Sequence, residues 1–327
     1  AAVALLREAG MVVLGKTVTT EFAMRTPGAT RNPHNPAHTP GGSSSGSAAA
    51  VADGQVPLAI GTQTSGSVVR PASFCGAFGF KPTWGTVPRA GLKMLAESLD
   101  VIGAMARSAR DAHAFVQAMS ALPIAPAAAL DRPPRIGLCR SPAWPAIEPA
   151  GAEALDAAAA ACRAAGAEIV PVDLPAPFDR ALDAHDVVMA FEARRMLAYE
   201  RTNHWDALSP ALQDVMRRGE AAGAQRYAEA LEVREACRGV FAAAFSGVDV
   251  LLTPAAPGEA PARLDYTGAP EFNRIWTFVG APCITVPGLV GPNGLPVGSQ
   301  LVGRLGDDAA VIAAAGWLEP ILKERRA

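Results

Sequence analysis

Apolar residues along this chain fall into two alternating kinds of run. Short unbroken runs, rich in Val, Ile and Leu and bounded by Gly or Pro, predict buried strands at Met11–Leu14, 56–62, 136–139, 168–172, 250–254, 282–288 and 298–303. Longer Ala-rich segments with apolar positions every three or four residues predict helices at 108–121, 151–166, 181–199, 208–245 and 307–323. Shorter helical stretches are expected at 1–9 and 48–53. Strands alternating with helices predict an α/β fold with a mostly parallel sheet. No fixed-period repeat appears, which excludes a solenoid.

Two segments between these elements cannot be regular. Residues 25–40 carry Pro33, Pro36 and Pro40, which block helix and central strand alike. Residues 41–47 (GGSSSGS) and 61–67 (GTQTSGS) are loops of small residues on either side of the 48–53 helix and 56–62 strand. No linker demands a second domain. The expectation is one domain over 1–327, with a variable helical region at 120–245 as a cap over the site.

Composition narrows the picture. The 327 residues carry a net charge of −2 and are 18% charged, so neither disorder nor a polyanion-binding surface is expected. With a pI near 6.3 there is no electrostatic reason to expect direct nucleic-acid binding. No apolar run is long enough for a membrane span and no signal peptide is visible. Five cysteines (Cys75, Cys139, Cys162, Cys237, Cys283) never form a CxxC pair, which predicts reduced thiols in a cytoplasmic protein without a zinc site. Only four of the 29 basic residues are lysines: Lys16, Lys81, Lys93 and Lys323.

Several motifs compete for the chemistry. Gly10 to Thr17 satisfies GxxxxGKT, the phosphate-loop pattern. Its four middle residues are MVVL, which favour a strand over a loop of inward N–H groups, so nucleotide binding is not expected. His34 and His38 have helical ligand spacing, but Pro33 and Pro36 forbid the helix. Gly42 to Gly46 matches the nucleophile elbow GxSxG around Ser44, though no strand precedes it. That reading would need His185 or His204 as base. A fourth reading takes both small-residue loops together, with Ser67 as nucleophile at the end of the second. The backbone N–H groups of Thr64 to Ser67 would then face a developing oxyanion, and the first loop would deliver a relaying group.

The stretches GGSSSGSAAAVA (41–52) and GTQTSGSVVRPASFCGAFGFKPTWGTVPRAGL (61–92) resemble the signature of the amidase signature family. The likeness extends to VVLGKTVTTEFA (12–23), NPHNPAHTPGG (32–42), SLDVIGAMARSARDA (98–112), DVLLTPAAPG (249–258), FNRIWTFVGAPCITVPG (272–288) and GLPVGSQLVGRLGDD (294–308). Residues 125–245 carry no such wording. The resemblance implies an α/β/α sandwich with a large mixed sheet and hydrolysis of a carboxamide C–N bond through an acyl-enzyme. It implies a Ser–cis-Ser–Lys triad in which Ser67 is the nucleophile and Ser43, after a cis bond from Gly42, relays its proton. Thr64, Ser65 and Gly66 would supply the oxyanion hole, and Arg70 and Gly42 would contact substrate. The substrate would be a small amide, with no metal or organic cofactor, in a cytoplasmic, bacterial-like enzyme, with a homodimer left open.

The sequence departs from that pattern. The family lysine belongs to a VKD-like segment upstream of GKT, and the only lysine before Ser43 is Lys16, inside GKT itself. The alternatives this leaves are an N-terminally truncated member, a degenerate non-catalytic one, or one component of an amidotransferase-type assembly. A truncated chain should expose an apolar patch and tend to aggregate. Ser65 stands where many members have Gly, and Gln63 where many have Asp. Arg70 has a second reading as half of a structural ion pair, and Cys75 reads as a small core residue.

Overall fold

The computed structural model describes residues 1–120, 124–125 and 127–324. Ala121, the end of the expected 108–121 helix, and residues 122, 123 and 126 of the expected cap region lie outside the described residues. Among the described residues eight strands build one sheet: β1 (Leu58–Gln63), β2 (Phe78–Lys81), β3 (Val101–Ala106), β4 (Arg135–Leu138), β5 (Glu168–Pro171), β6 (Val250–Pro254), β7 (Cys283–Val290) and β8 (Pro296–Val302). Their order is β1-β3-β2-β7-β8-β6-β4-β5.

Only β4–β5 and β4–β6 pair in parallel, and every other pairing is antiparallel. The sheet is therefore mixed and mainly antiparallel, which corrects the mostly parallel expectation. The physical reason lies in the connections. β7 and β8 are joined by a tight turn closed by Gly291 N–H donating to the Leu295 carbonyl, and such a turn can only join antiparallel strands. β2 and β3, which flank one another, are not among the strands the apolar pattern predicts.

Neighbouring residues on the central strands point to opposite faces, as the period of two requires. Leu252, Ile284 and Leu301 pack with Leu6, Val116, Leu155 and Leu318 from α1 (Ala2–Glu8), α4 (Ala109–Met119), α5 (Pro149–Ala164) and α10 (Asp308–Lys323). Leu251, Cys283 and Val302 pack on the other side with Val188, Leu212 and Trp276. Those three come from α6 (Ala181–Met196), α8 (Pro210–Phe241) and α9 (Glu271–Val279). The result is an α/β/α sandwich around a large mixed sheet. α2 (Ser45–Ala52) and α3 (Val69–Cys75) flank β1 and carry the two small-residue loops at their starts, while α7 (Ala198–Asn203) follows α6.

Helix starts follow local chemistry. The side chains of Ser108, Ser209 and Asp307 accept from the N–H groups of Asp111, Leu212 and Ala310, satisfying donors the first turn leaves free. α8 breaks its geometry at Gly223, whose φ of +66° suits a residue without a Cβ. One expectation fails: Met11–Leu14 forms no strand, and Val12 and Leu14 are 81% and 74% exposed. An apolar run makes a strand only where a neighbour offers its hydrogen bonds, and among the described residues no strand pairs with this one. Among the described residues the five cysteines are free and buried, and no helix is long and apolar enough to cross a membrane.

Candidate active site

The first loop is anchored by backbone. The Ser43 carbonyl accepts from Thr19 Oγ1 at 3.1 Å and from Thr20 N–H at 3.2 Å. Gly46 N–H donates to the Val18 carbonyl at 2.9 Å, and Ser47 Oγ donates to the Ile60 carbonyl at 2.7 Å. Gly41 turns with φ +80°, where a Cβ would press on Pro71. The Gly42–Ser43 peptide bond is cis, as the resemblance implies. Ser43 Oγ is buried and has no hydrogen-bond partner among the described residues. Ser44 is different: its Oγ accepts from Thr62 N–H at 3.1 Å and donates to the Thr62 carbonyl, stitching α2 to β1. No histidine approaches Ser44. His204 packs edge-on to Tyr199, and His185 belongs to the other loop, so the GxSxG reading finds no base.

The second loop is held by Gln63 beside it and by side chains from three distant segments. Gln63 Oε1 accepts from Val68 N–H and Val69 N–H at 2.9 and 3.1 Å, while its Nε2 donates to Thr277 Oγ1. Thr277 Oγ1 in turn donates to the Ser65 carbonyl at 2.8 Å. His185 Nε2, from α6, donates to the Thr64 carbonyl at 2.9 Å. Thr64 Oγ1 donates to Asp100, which also accepts from the N–H groups of Leu95 and Ala96. Gly66 leaves space that Asn273 fills, where a Cβ would collide. With the carbonyls of Thr64 and Ser65 bound elsewhere, the N–H groups of Ser65, Gly66 and Ser67 are left without partners among the described residues.

Thr64, Ser65, Ser67 and Arg70 share the wall of a pocket of about 120 Å³ with Met24, Met189, Tyr266, Glu271 and Arg274. Gly42, Ser43 and Gly66 are not on that wall. Arg70 Nη2 donates to the Gly42 carbonyl at 2.6 Å, and no carboxylate lies within ion-pair distance of it among the described residues. The structural ion-pair reading of Arg70 is thereby corrected: its backbone partner ties the two loops together. Burial lowers its pKa to about 10, opposed by Tyr266 and Glu271, so it stays charged at neutral pH.

Burial raises the Asp100 carboxyl to about 6, despite its hydrogen bonds from Thr64, Leu95 and Ala96. A carboxyl whose folded value is raised contributes most below its unfolded value of 3.8, and that contribution is lost as pH rises through 6. The stability of the protein relative to Asp100→Asn should therefore fall between pH 4 and 7, by on the order of 3 kcal/mol. Urea unfolding of both proteins across that range measures the slope. A flat difference would mean Asp100 titrates normally.

No lysine joins this constellation. Lys81 is buried with Nζ donating to the carbonyls of Pro82 and Ala281, Lys93 pairs with Glu200, and Lys323 with Glu319. Lys16 reaches only its neighbour's carbonyl, on the exposed extended stretch that matches the phosphate-loop pattern. His34 and His38 bind the separate carbonyls of Cys75 and Ala260, as loop anchors rather than a ligand pair. Cys75 is fully buried in the core, as expected. Asp100, His185, Asn273 and Thr277 do not stand out in the sequence as supports of this loop. Each is a lone polar residue far along the chain from the loop it holds, and only burial reveals it.

The α/β/α sandwich carries two small-residue loops at helix starts, the second of them on the wall of a pocket. The amidase family model matches residues 1–312, and the chain belongs to this family, the amidase signature hydrolases. Among curated proteins it is 36% identical to the A component of the glutamyl-tRNA(Gln) amidotransferase of Synechococcus sp. (strain WH7803), over 95% of this chain and 74% of that one. It is 32% identical to the same component from Neisseria meningitidis, over 96% and 76%. Among solved structures, an amidase superposes with TM-score 0.90 at 31% identity, covering 98% of this chain and 76% of that one. The peptide amidase of Stenotrophomonas maltophilia does so with TM-score 0.79 at 31% identity, covering 98% and 75%.

Proposed function

We propose that these 327 residues carry the nucleophile half of an amidase-signature site, and that the base completing it lies outside them. In this reading Ser67 attacks the carbonyl carbon of a carboxamide, its proton passing to Ser43 as Ser43 gives its own to a neutral amine. The N–H groups of the 64–67 loop stabilise the oxyanion, the proton returns to the leaving nitrogen, and water releases the acyl group. The helical region within 120–245 closes the acyl pocket through Met189 and positions Thr64 through His185.

The observation that carries this reading is the buried, unpartnered Ser43 Oγ. A buried hydroxyl without a partner is costly, and a relay needs a hydroxyl free at the moment of transfer. The four lysines are engaged elsewhere or remote, which favours a chain that does not turn over amides unaided. The test is labelling of a base-complete form of this protein with a fluorophosphonate, followed by peptide mapping. The adduct is expected on Ser67; an adduct on Ser44 or Ser65 with Ser67 untouched would sink the proposal.

A second reading is one component of an amidotransferase-type assembly, favoured by the names of the curated relatives at 32–37% identity. The readings part on whether a base-complete form of this protein releases ammonia from a free carboxamide without a second protein chain.

A further inference from the structure

A second cavity, of about 570 Å³, shares no lining residue with the pocket beside Ser67. Its wall combines the end of α6 (Phe191, Arg194, Arg195), Arg201 of α7, and α8 around Glu220 and the break at Gly223. Three arginines thus face one carboxylate, in a chain whose net charge is −2. Among the described residues only Arg194 is in an ion pair there, with Glu220 at 2.7 Å. The Arg195 guanidinium lies 5.3 Å from the centre of the Phe191 ring, which is fixed in turn by stacking on Tyr227 at 4.3 Å. Arg201 is part-buried, and its Nε is shut off from solvent with no acceptor among the described residues.

A buried donor without an acceptor is costly, and an incoming acceptor removes that cost. A guanidinium stacked on an aromatic ring keeps its N–H edge open, and that planar edge matches the oxygens of a phosphate. A carboxylate would satisfy one such edge. A phosphate brings three acceptor oxygens and close to two charges, enough for Arg195 and Arg201 together. The cavity has the size of a small-molecule site, with room for a carbon body beyond the phosphate. We infer that this cavity is a second ligand site, which takes the phosphate monoester of a small organic molecule on Arg195 and Arg201. The site goes beyond the amidase reading and depends neither on Ser67 nor on a base.

Isothermal titration of the 327-residue chain with glycerol 3-phosphate, inorganic phosphate, acetate and glycerol tests the inference. Glycerol 3-phosphate is expected to bind at least tenfold more tightly than acetate or glycerol, and no more weakly than inorganic phosphate. Its binding should weaken as salt is raised. Arg195→Gln and Arg201→Gln should each weaken it at least fivefold. Arg226→Gln, at an exposed arginine of α8 off the cavity wall, should leave it unchanged. Glu220→Gln should strengthen it severalfold by freeing Arg194, a gain that a purely structural role for these side chains would not produce. Arg195 is exposed, so its variant tests the site even where Arg201→Gln fails to fold. No binding of glycerol 3-phosphate, binding that survives both Arg195→Gln and Arg201→Gln, or an equal loss from Arg226→Gln would overturn the site. Acetate bound as tightly, or inorganic phosphate bound more tightly, would overturn the monoester assignment.

Discussion

In a base-complete form of this protein, Ser67→Ala removes all covalent labelling and all amide turnover, while Ser43→Ala lowers turnover by roughly 10²–10⁴-fold. The asymmetry follows from the two positions. Ser67 lines the pocket at the end of a loop whose Ser65, Gly66 and Ser67 N–H groups have no partner among the described residues, the placement a nucleophile needs in the proposed reading. Ser43 is buried off the pocket wall with its Oγ free, a place from which it can carry a proton without touching substrate. Loss of a relay leaves the oxyanion donors and the bound geometry in place, so a fraction of the rate survives. Steady-state ammonia release by both variants, checked against melting curves, gives the comparison. Equal loss from both would assign Ser43 a different role.

In a base-complete form, Lys81→Ala should destabilise the fold by about 3–5 kcal/mol and leave the labelling rate of folded molecules at Ser67 unchanged. The side chain, at the end of β2, is fully buried, and burial lowers its pKa. Its Nζ is shared between the carbonyls of Pro82 and Ala281, joining the end of β2 to the start of β7. Removing it leaves a cavity and two buried acceptors unmatched. Chemical denaturation measures the first effect and labelling of the remaining folded fraction the second. A large loss of labelling at unchanged stability would make Lys81 the base after all.

Much of the site is legible in the sequence because its residues are contiguous. The 41–52 and 61–92 stretches carry the family resemblance that points to Ser43, Ser67 and Arg70, and the loops, α2 and β1 fall close to where the pattern predicts. The supports are not legible. Asp100 is 36 residues from Thr64 and His185 is 121, with no periodic signal to tie either to the loop. Strand direction is equally hidden, because helix-and-strand alternation says nothing about a hairpin such as β7–β8. Met11–Leu14 shows the converse error, in which apolar sequence predicts burial that the fold does not supply. The exposed Val12, Val13, Leu14 and Val18 run directly into Thr19 and Thr20, which hold Ser43.

The central claim is that the nucleophile and relay lie in these 327 residues and the base does not. Ammonia release from a panel of simple carboxamides by the 327-residue chain, beside the longest open reading frame that contains it, tests this most directly. No turnover above background is expected of the former. The latter is expected to turn over, and to lose that activity when a single lysine outside the 327 residues is replaced by Met. Turnover by the 327-residue chain alone, dependent on Ser67, would contradict the claim.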